Sequence, residues 1–143
     1  MRIGFPHMGR TYLPMKSAFR DLGIPVVVPP PTSRNTLSLG TRYSPETICV
    51  PFKLTLGNMI EALELGADTI VMAAGRGLCR FGYYAKVQEQ ILKDLGYQFD
   101  MVTTDLFGGK IVGVTRLIRR LSDGAPMLKI IGVVLVINGF MLI

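Results

Sequence analysis

Cysteine and histidine are nearly absent from this chain. Its 143 residues include two cysteines, Cys49 and Cys79, and a single histidine, His7. Two cysteines cannot build the disulfide framework of a small secreted scaffold, and with no Cys-x2-Cys pair the usual zinc spacings are missing. No Ser/His/Asp or paired-carboxylate constellation stands out, which removes the common hydrolase templates. Charge is sparse as well, at 18% of residues against the usual quarter, while 49% are hydrophobic. Together with a mean hydropathy of +0.39, this composition points to a sheet buried on both faces, a surface covered by a partner, or a piece of a longer protein. The net charge is +6, yet Lys and Arg are dispersed and cluster only at Arg116, Arg119 and Arg120. No basic run interleaves with aromatics, so nucleic acid is not an expected partner. The opening MRIGFPHMGR lacks the apolar core of a secretory signal, and the reading is cytoplasmic. A reducing compartment leaves the two thiols to metal binding, redox chemistry or burial.

What is present is an alternation of strand and helix signals. Met1 to Phe5 is an apolar run stopped by Pro6. Leu13 to Leu22 has helical spacing with Gly23 as its stop. Ile24 to Val28 is β-branched and ends at Pro29-Pro30-Pro31. A short helix is expected over Thr32 to Thr41, capped by Thr32 or Ser33 and ending at Gly40. Tyr43 to Pro51 reads as a loop carrying Cys49. Phe52, Leu56, Met59, Ile60 and Leu63 mark a strong helix closed by Gly66, and TIVMAA follows as a central parallel strand. Gly75 to Gly82 is a glycine-rich loop carrying Cys79. A helix over Tyr83 to Leu95, with Val87, Ile91 and Leu95 as its stripe, leads to a fourth strand at Tyr97 to Thr103.

This βαβαβαβ order predicts a Rossmann-like or flavodoxin-like α/β domain, a parallel sheet with helices on both faces, over residues 1–107. Residues 108–143 form a separate tail: a helix to Leu121, a break at Asp123 to Pro126, and the apolar run IIGVVLVINGFMLI. That run has 14 residues, short of the roughly 18 to 20 a membrane span needs, and Asn138-Gly139 is a hairpin signal. Buried strands, or a severed piece of a longer element, fit it better than a membrane helix.

Ligands of open α/β sheets bind beyond the carboxyl ends of the strands. The loop after strand one holds His7, the loop after strand three holds Gly75, Gly77, Cys79 and Arg80, and Cys49 immediately precedes a helix. The two thiols are therefore expected to face one crevice. Burial as two small hydrophobes is the plain alternative. The functional reading has a mechanism, because helix N-termini favour thiolates, with Lys53, Arg76 and Arg80 adding positive charge nearby. Gly75 and Gly77 would let backbone amides approach sulfur. A phosphate loop is not indicated, since the GxxxxGK[ST] pattern is missing. His7 is read either as a ligand-edge residue or as a histidine capping a turn, and Glu46 as an exposed loop carboxylate or an acid–base group. Of Tyr83 and Tyr84, one should enter the core and the other reach the site.

Two segments carry a more specific likeness. ETICVPFK, an E-x-x-C-x-P-x-K pattern, and GLCRFGYY, a G-x-C-R-x-G-Y-Y pattern, lie within a stretch of roughly residues 1 to 120 that resembles the acyl-CoA dehydratase activase-related proteins. These CoA protein activases are relatives of the 2-hydroxyacyl-CoA dehydratase subunits and the double-cubane cluster proteins. The resemblance implies a Rossmann-like domain holding an iron–sulfur cluster, expected to be 4Fe-4S, with Cys49 and Cys79 as ligands. Dehydratase subunits of this group use three cysteines, so the cluster would be shared between chains or domains. The implied role is a redox or accessory component of an acyl-CoA dehydratase-type system, passing electrons rather than acting as an independent enzyme. Its partners would be a second copy or a larger dehydratase/activase assembly, with acyl-CoA as the associated substrate class. The alternative is a non-redox module that uses His7, Arg76 and Arg80 to hold CoA or another anion.

Overall fold

The computed structural model describes residues 1–74 and 79–105. The elements along it are β1 (Ile3–Gly4), α1 (Tyr12–Asp21), β2 (Val26–Val27), α2 (Arg34–Tyr43), α3 (Val50–Glu64), β3 (Thr69–Ala74), α4 (Phe81–Asp94) and β4 (Asp100–Asp105). The four strands form one parallel sheet in the order β2-β1-β3-β4. Ile3 pairs with Val26 on one side and Thr69 on the other, and Thr69 pairs with Asp100. This is the flavodoxin-like order, with its switch point between β1 and β3. The expected α/β class therefore holds, as do the helices on both faces. The expected helix to Leu121, the apolar run from Ile130, Gly75 and Gly77 all lie outside the described residues.

Each face of the sheet has its own core. On one, Ile3, Phe5 and Val71 pack with Phe19 and Ile24 around α1. On the other, Ile70 and Met72 meet Phe52, Leu56, Met59, Ile60 and Leu63 of α3 and Tyr84, Ala85 and Leu92 of α4. The alternation of Ile70, Val71 and Met72 between the two cores follows from the two-residue period of a strand. All five apolar positions expected of α3 are buried. Helices α3 and α4 both stop at a glycine with positive φ, Gly66 and Gly96, a backbone conformation that side chains strain.

Prolines flank the two short strands, β1 and β2. Pro25 has no N–H to donate, although its carbonyl accepts from the Ile3 amide at 2.9 Å. The ladder between β1 and β2 thus spans two residues where longer runs are expected from apolar content. Pro51 does not delay α3, which begins at Val50, because proline is tolerated in a first helical turn. The stripe of α4 also differs from expectation. Its buried positions are Tyr84, Ala85, Gln88 and Leu92, while Val87 and Ile91 are partly buried and Leu95 is exposed. Gln88 can occupy the core because its Nε2 donates to the Phe52 carbonyl at 3.1 Å and to Thr55 Oγ1 at 2.7 Å.

Helix α2 packs on the outer side of α3, making a further layer. Ser33 caps it in a reciprocal box with Thr36. Gly40 does not end it; the helix continues to Tyr43, because Gly40 is a contact position. A Cβ there would collide with the Lys53 carbonyl, and one on Gly57 would collide with the Thr36 carbonyl. Two backbones meet where two side chains are missing. Around this contact the Thr36 hydroxyl donates to Glu61 at 3.0 Å, and Asn58 Nδ2 donates to the same carboxylate at 3.4 Å. Gly57→Ala and Gly40→Ala should each lower the unfolding free energy by about 2 kcal/mol or more, since overpacking here must move main chain. Urea unfolding of each variant measures this, and stability equal to wild type would refute the backbone contact.

Candidate functional site

The carboxyl edge of the sheet collects the heads of two helices. Cys49 is the N-cap residue of α3, with φ −68° and ψ 152°. Its side chain caps no backbone amide, so the sulfur is available for other contacts. Cys79 directly precedes Arg80, the N-cap of α4, and its carbonyl accepts from the Gly82 amide at 3.3 Å. Neither helix has an acidic residue in its first turn. The partial positive charge of both helix ends is therefore uncancelled by neighbouring carboxylates. Both cysteines are exposed and free.

Tyr84 links them. Its side chain is buried, at 4% exposure. The ring stands edge-on to Phe52, 5.0 Å between centroids at 82°, and lies against Phe81 at 5.2 Å. The phenol oxygen contacts Cys49 Sγ in a hydrogen bond. Burial pushes the Tyr84 phenol up to about 12, reinforced by the bond to Cys49 and by the nearby Cys49 and Cys79 thiols, with Arg80 opposing. Cys49 touches the Tyr84 hydroxyl directly, whereas Cys79 stands just before the head of the helix that carries Tyr84. Tyr83 points away from the core and is 68% exposed. The same tyrosine, Tyr84, both fills the core and reaches the site.

Arg80 follows Cys79 at the head of α4 and opposes the rise of the Tyr84 phenol. Lys53, one turn along α3, donates from Nζ to the Glu46 carbonyl at 3.3 Å. His7 is placed elsewhere on the same edge. Its Nε2 faces the Pro29 carbonyl at 2.8 Å, its backbone amide donates to Asn58 Oδ1 at 3.1 Å, and its ring stands edge-on to Tyr12. These bonds join the loops after β1 and β2 to α3. Among the described residues, no group of three or more His, Cys, Asp or Glu side chains forms a metal-binding cluster. Also among the described residues, no helix is long and apolar enough to cross a membrane.

Residues 2–73 fit the model of the CoA enzyme activase uncharacterised domain, a segment running from β1 into β3. The chain belongs to this family. The matched segment of the activase-related chain contains Cys49 and all of α3; Cys79, Arg80 and Tyr84 lie beyond it. No curated protein and no solved structure matches the chain.

Sequence reasoning singled out Cys49, Cys79 and Arg80 but not the Tyr84–Cys49 contact or the Gln88 bond that fixes α4 against α3. The available signal was spacing: Tyr84 and Gln88 are one turn apart on α4 and address Cys49 and Phe52, three residues apart on α3. The raised phenol sets a pH dependence. The folded chain holds the Tyr84 proton more tightly than the unfolded chain, whose phenol titrates near 10. Its contribution is complete below that value and is lost as pH rises toward about 12. Tyr97 is also raised, by burial and by Glu64. Tyr84→Phe should remove one of the two late phenolate transitions seen by ultraviolet absorbance, and should flatten the alkaline loss of stability. An alkaline titration unchanged by the substitution would contradict this environment for Tyr84.

Proposed function

We propose that this activase-related chain is an iron–sulfur-binding redox or accessory component of an acyl-CoA dehydratase-type system, with Cys49 and Cys79 as cluster ligands. The observation that supports the reading is the position of Cys49 and Cys79 at the heads of two helices whose first turns hold no carboxylate, with Tyr84 of the second helix in contact with Cys49. The donor set suits the group: soft, exposed sulfur ligands at positive helix ends favour an anionic iron–sulfur centre. When bound, the cluster would supply one-electron transfer, 4Fe-4S being the form the family resemblance implies.

The chain's own residues have defined parts in this scheme. Cys49 and Cys79 bind through thiolate sulfur, and the ends of α3 and α4 stabilise the negative charge. Arg80 adds a fixed positive charge at the head of α4. Two thiolates leave ligand positions to be filled, so a second copy or another domain of a dehydratase/activase assembly completes the site. A cytoplasmic setting accords with two exposed, free thiols.

A second reading rests on the same positive helix ends and Arg80. It makes the edge a non-redox site for CoA or another anion, with His7 shaping the adjoining loop. The two readings separate experimentally. After anaerobic reconstitution, the first predicts bound iron, acid-labile sulfide and visible charge-transfer absorption, all lost or strongly diminished in Cys49→Ser and Cys79→Ser. A colourless protein without iron would sink it. The second predicts CoA binding weakened about tenfold by Arg80→Ala, as expected for a lost charge-assisted bond. Equal affinity by calorimetry would reject it.

A further inference from the structure

We propose that the cavity between α1 and the start of β2 is a binding site for a small phosphate monoester, held by Lys16 and Arg20. It lies at the amino end of β2, away from the thiol edge, and does not depend on the cluster reading.

The cavity has a volume of about 390 Å³ and is lined by Lys16, Arg20, Gly23, Ile24, Pro25 and Val26. That size lies within the range of small-ligand pockets. Lys16 and Arg20 are four residues apart in α1, so they stand one turn apart on one face. Among the described residues, neither cation has a carboxylate partner, and no carboxylate lines the cavity. Two like charges at this spacing weaken a helix, and an anion between them removes that cost. Compensation of the helix dipole accounts for Arg20, in the last turn of α1, but not for Lys16 a turn earlier. The carbonyls at that end are already engaged. Phe19 accepts from the Ile24 amide at 3.0 Å, and Arg20 accepts from the Gly23 amide at 2.9 Å.

The opposite wall adds a donor and an apolar surface. Strand β2 stands at one end of the described sheet. The Ile3 amide donates to the Pro25 carbonyl, and Ile3 lies in register with Val26. In a parallel ladder this leaves the Val26 N–H on the side away from β1, open to a ligand. Gly23 borders open space, since an added Cβ would meet nothing within 4 Å. Pro25 and Val26 offer apolar contact to the body of an ester. An arginine fork binds phosphate oxygens in pairs, and lysine adds a compact charge. Two positive charges match the dianion of a phosphate monoester better than the single charge of a carboxylate.

The test is a titration of phenyl phosphate into the isotope-labelled chain at low salt, followed by the amide cross-peaks in two-dimensional NMR. The Gly23, Ile24 and Val26 amides should shift and saturate. Inorganic phosphate, without an apolar body, and benzoate, with one charge, should each bind more weakly. Lys16→Gln and Arg20→Gln should each weaken phenyl phosphate binding about fivefold, an exposed charge-assisted bond being partly screened. Arg34→Gln removes the same charge from α2 and should leave the affinity unchanged. Shifts that spread over the surface without saturating, or an equal effect of all three substitutions, overturn the site and leave only attraction by net charge. Benzoate binding as tightly as phenyl phosphate overturns the assignment to phosphate, and inorganic phosphate doing so overturns the assignment to an ester.

Discussion

Helix α3 is enclosed from both sides, and the rest of the architecture depends on that enclosure. Its inner face rests on β3 through Leu56, Met59, Ile60 and Leu63. Its outer face receives α2 with backbone against backbone at Gly40 and Gly57. Ten of its fifteen residues are buried, too many for an ordinary surface helix with one apolar stripe. The polar members of that set are therefore paired: Thr55 with Gln88, and Asn58 and Glu61 with the Thr36 and His7 side of the fold. Burying polar groups in this way fixes orientation as well as position, since each has few alternative partners.

The chemistry at the carboxyl edge inherits this rigidity. Cys49 begins α3, and the loop bearing Cys79 leads into α4, so the two thiols are presented by neighbouring helices. The contacts between those helices near their heads are short-range and directional: an edge-on aromatic pair, an amide bond to a main-chain carbonyl, and the hydroxyl–sulfur bond. His7, on the other side of α3, ties the loops after β1 and β2 to Asn58. The arrangement makes the edge a composite of four separate chain segments, in accord with the switch-point rule for open α/β sheets.

Much of this fold was legible in the sequence because its signals are local. Apolar spacing and terminal glycines marked α3 and α4, and the β-branched run in TIVMAA marked β3. Reading failed where a residue's meaning came from its neighbour in space. Gly40 looked like a helix stop, but its missing side chain admits the Lys53 carbonyl. Gln88 lies outside the expected stripe of Val87, Ile91 and Leu95, but α3 supplies its partners. Pro51 seemed to belong to a loop, yet the first helical turn requires little of its missing amide. For the site, the two cysteines and Arg80 could be named from motif and loop position. The bond that joins one of them to Tyr84 could not, because it depends on how α3 and α4 face each other.

The glycine contact between α2 and α3 also has a mechanical consequence. Side chains that separate two helices can change rotamer and absorb a displacement, but abutting main chains cannot. Helices α2 and α3 therefore move as one lever. Leu37 on α2 is exposed, while Cys49 stands at the opposite chain end of the loop that joins the helices.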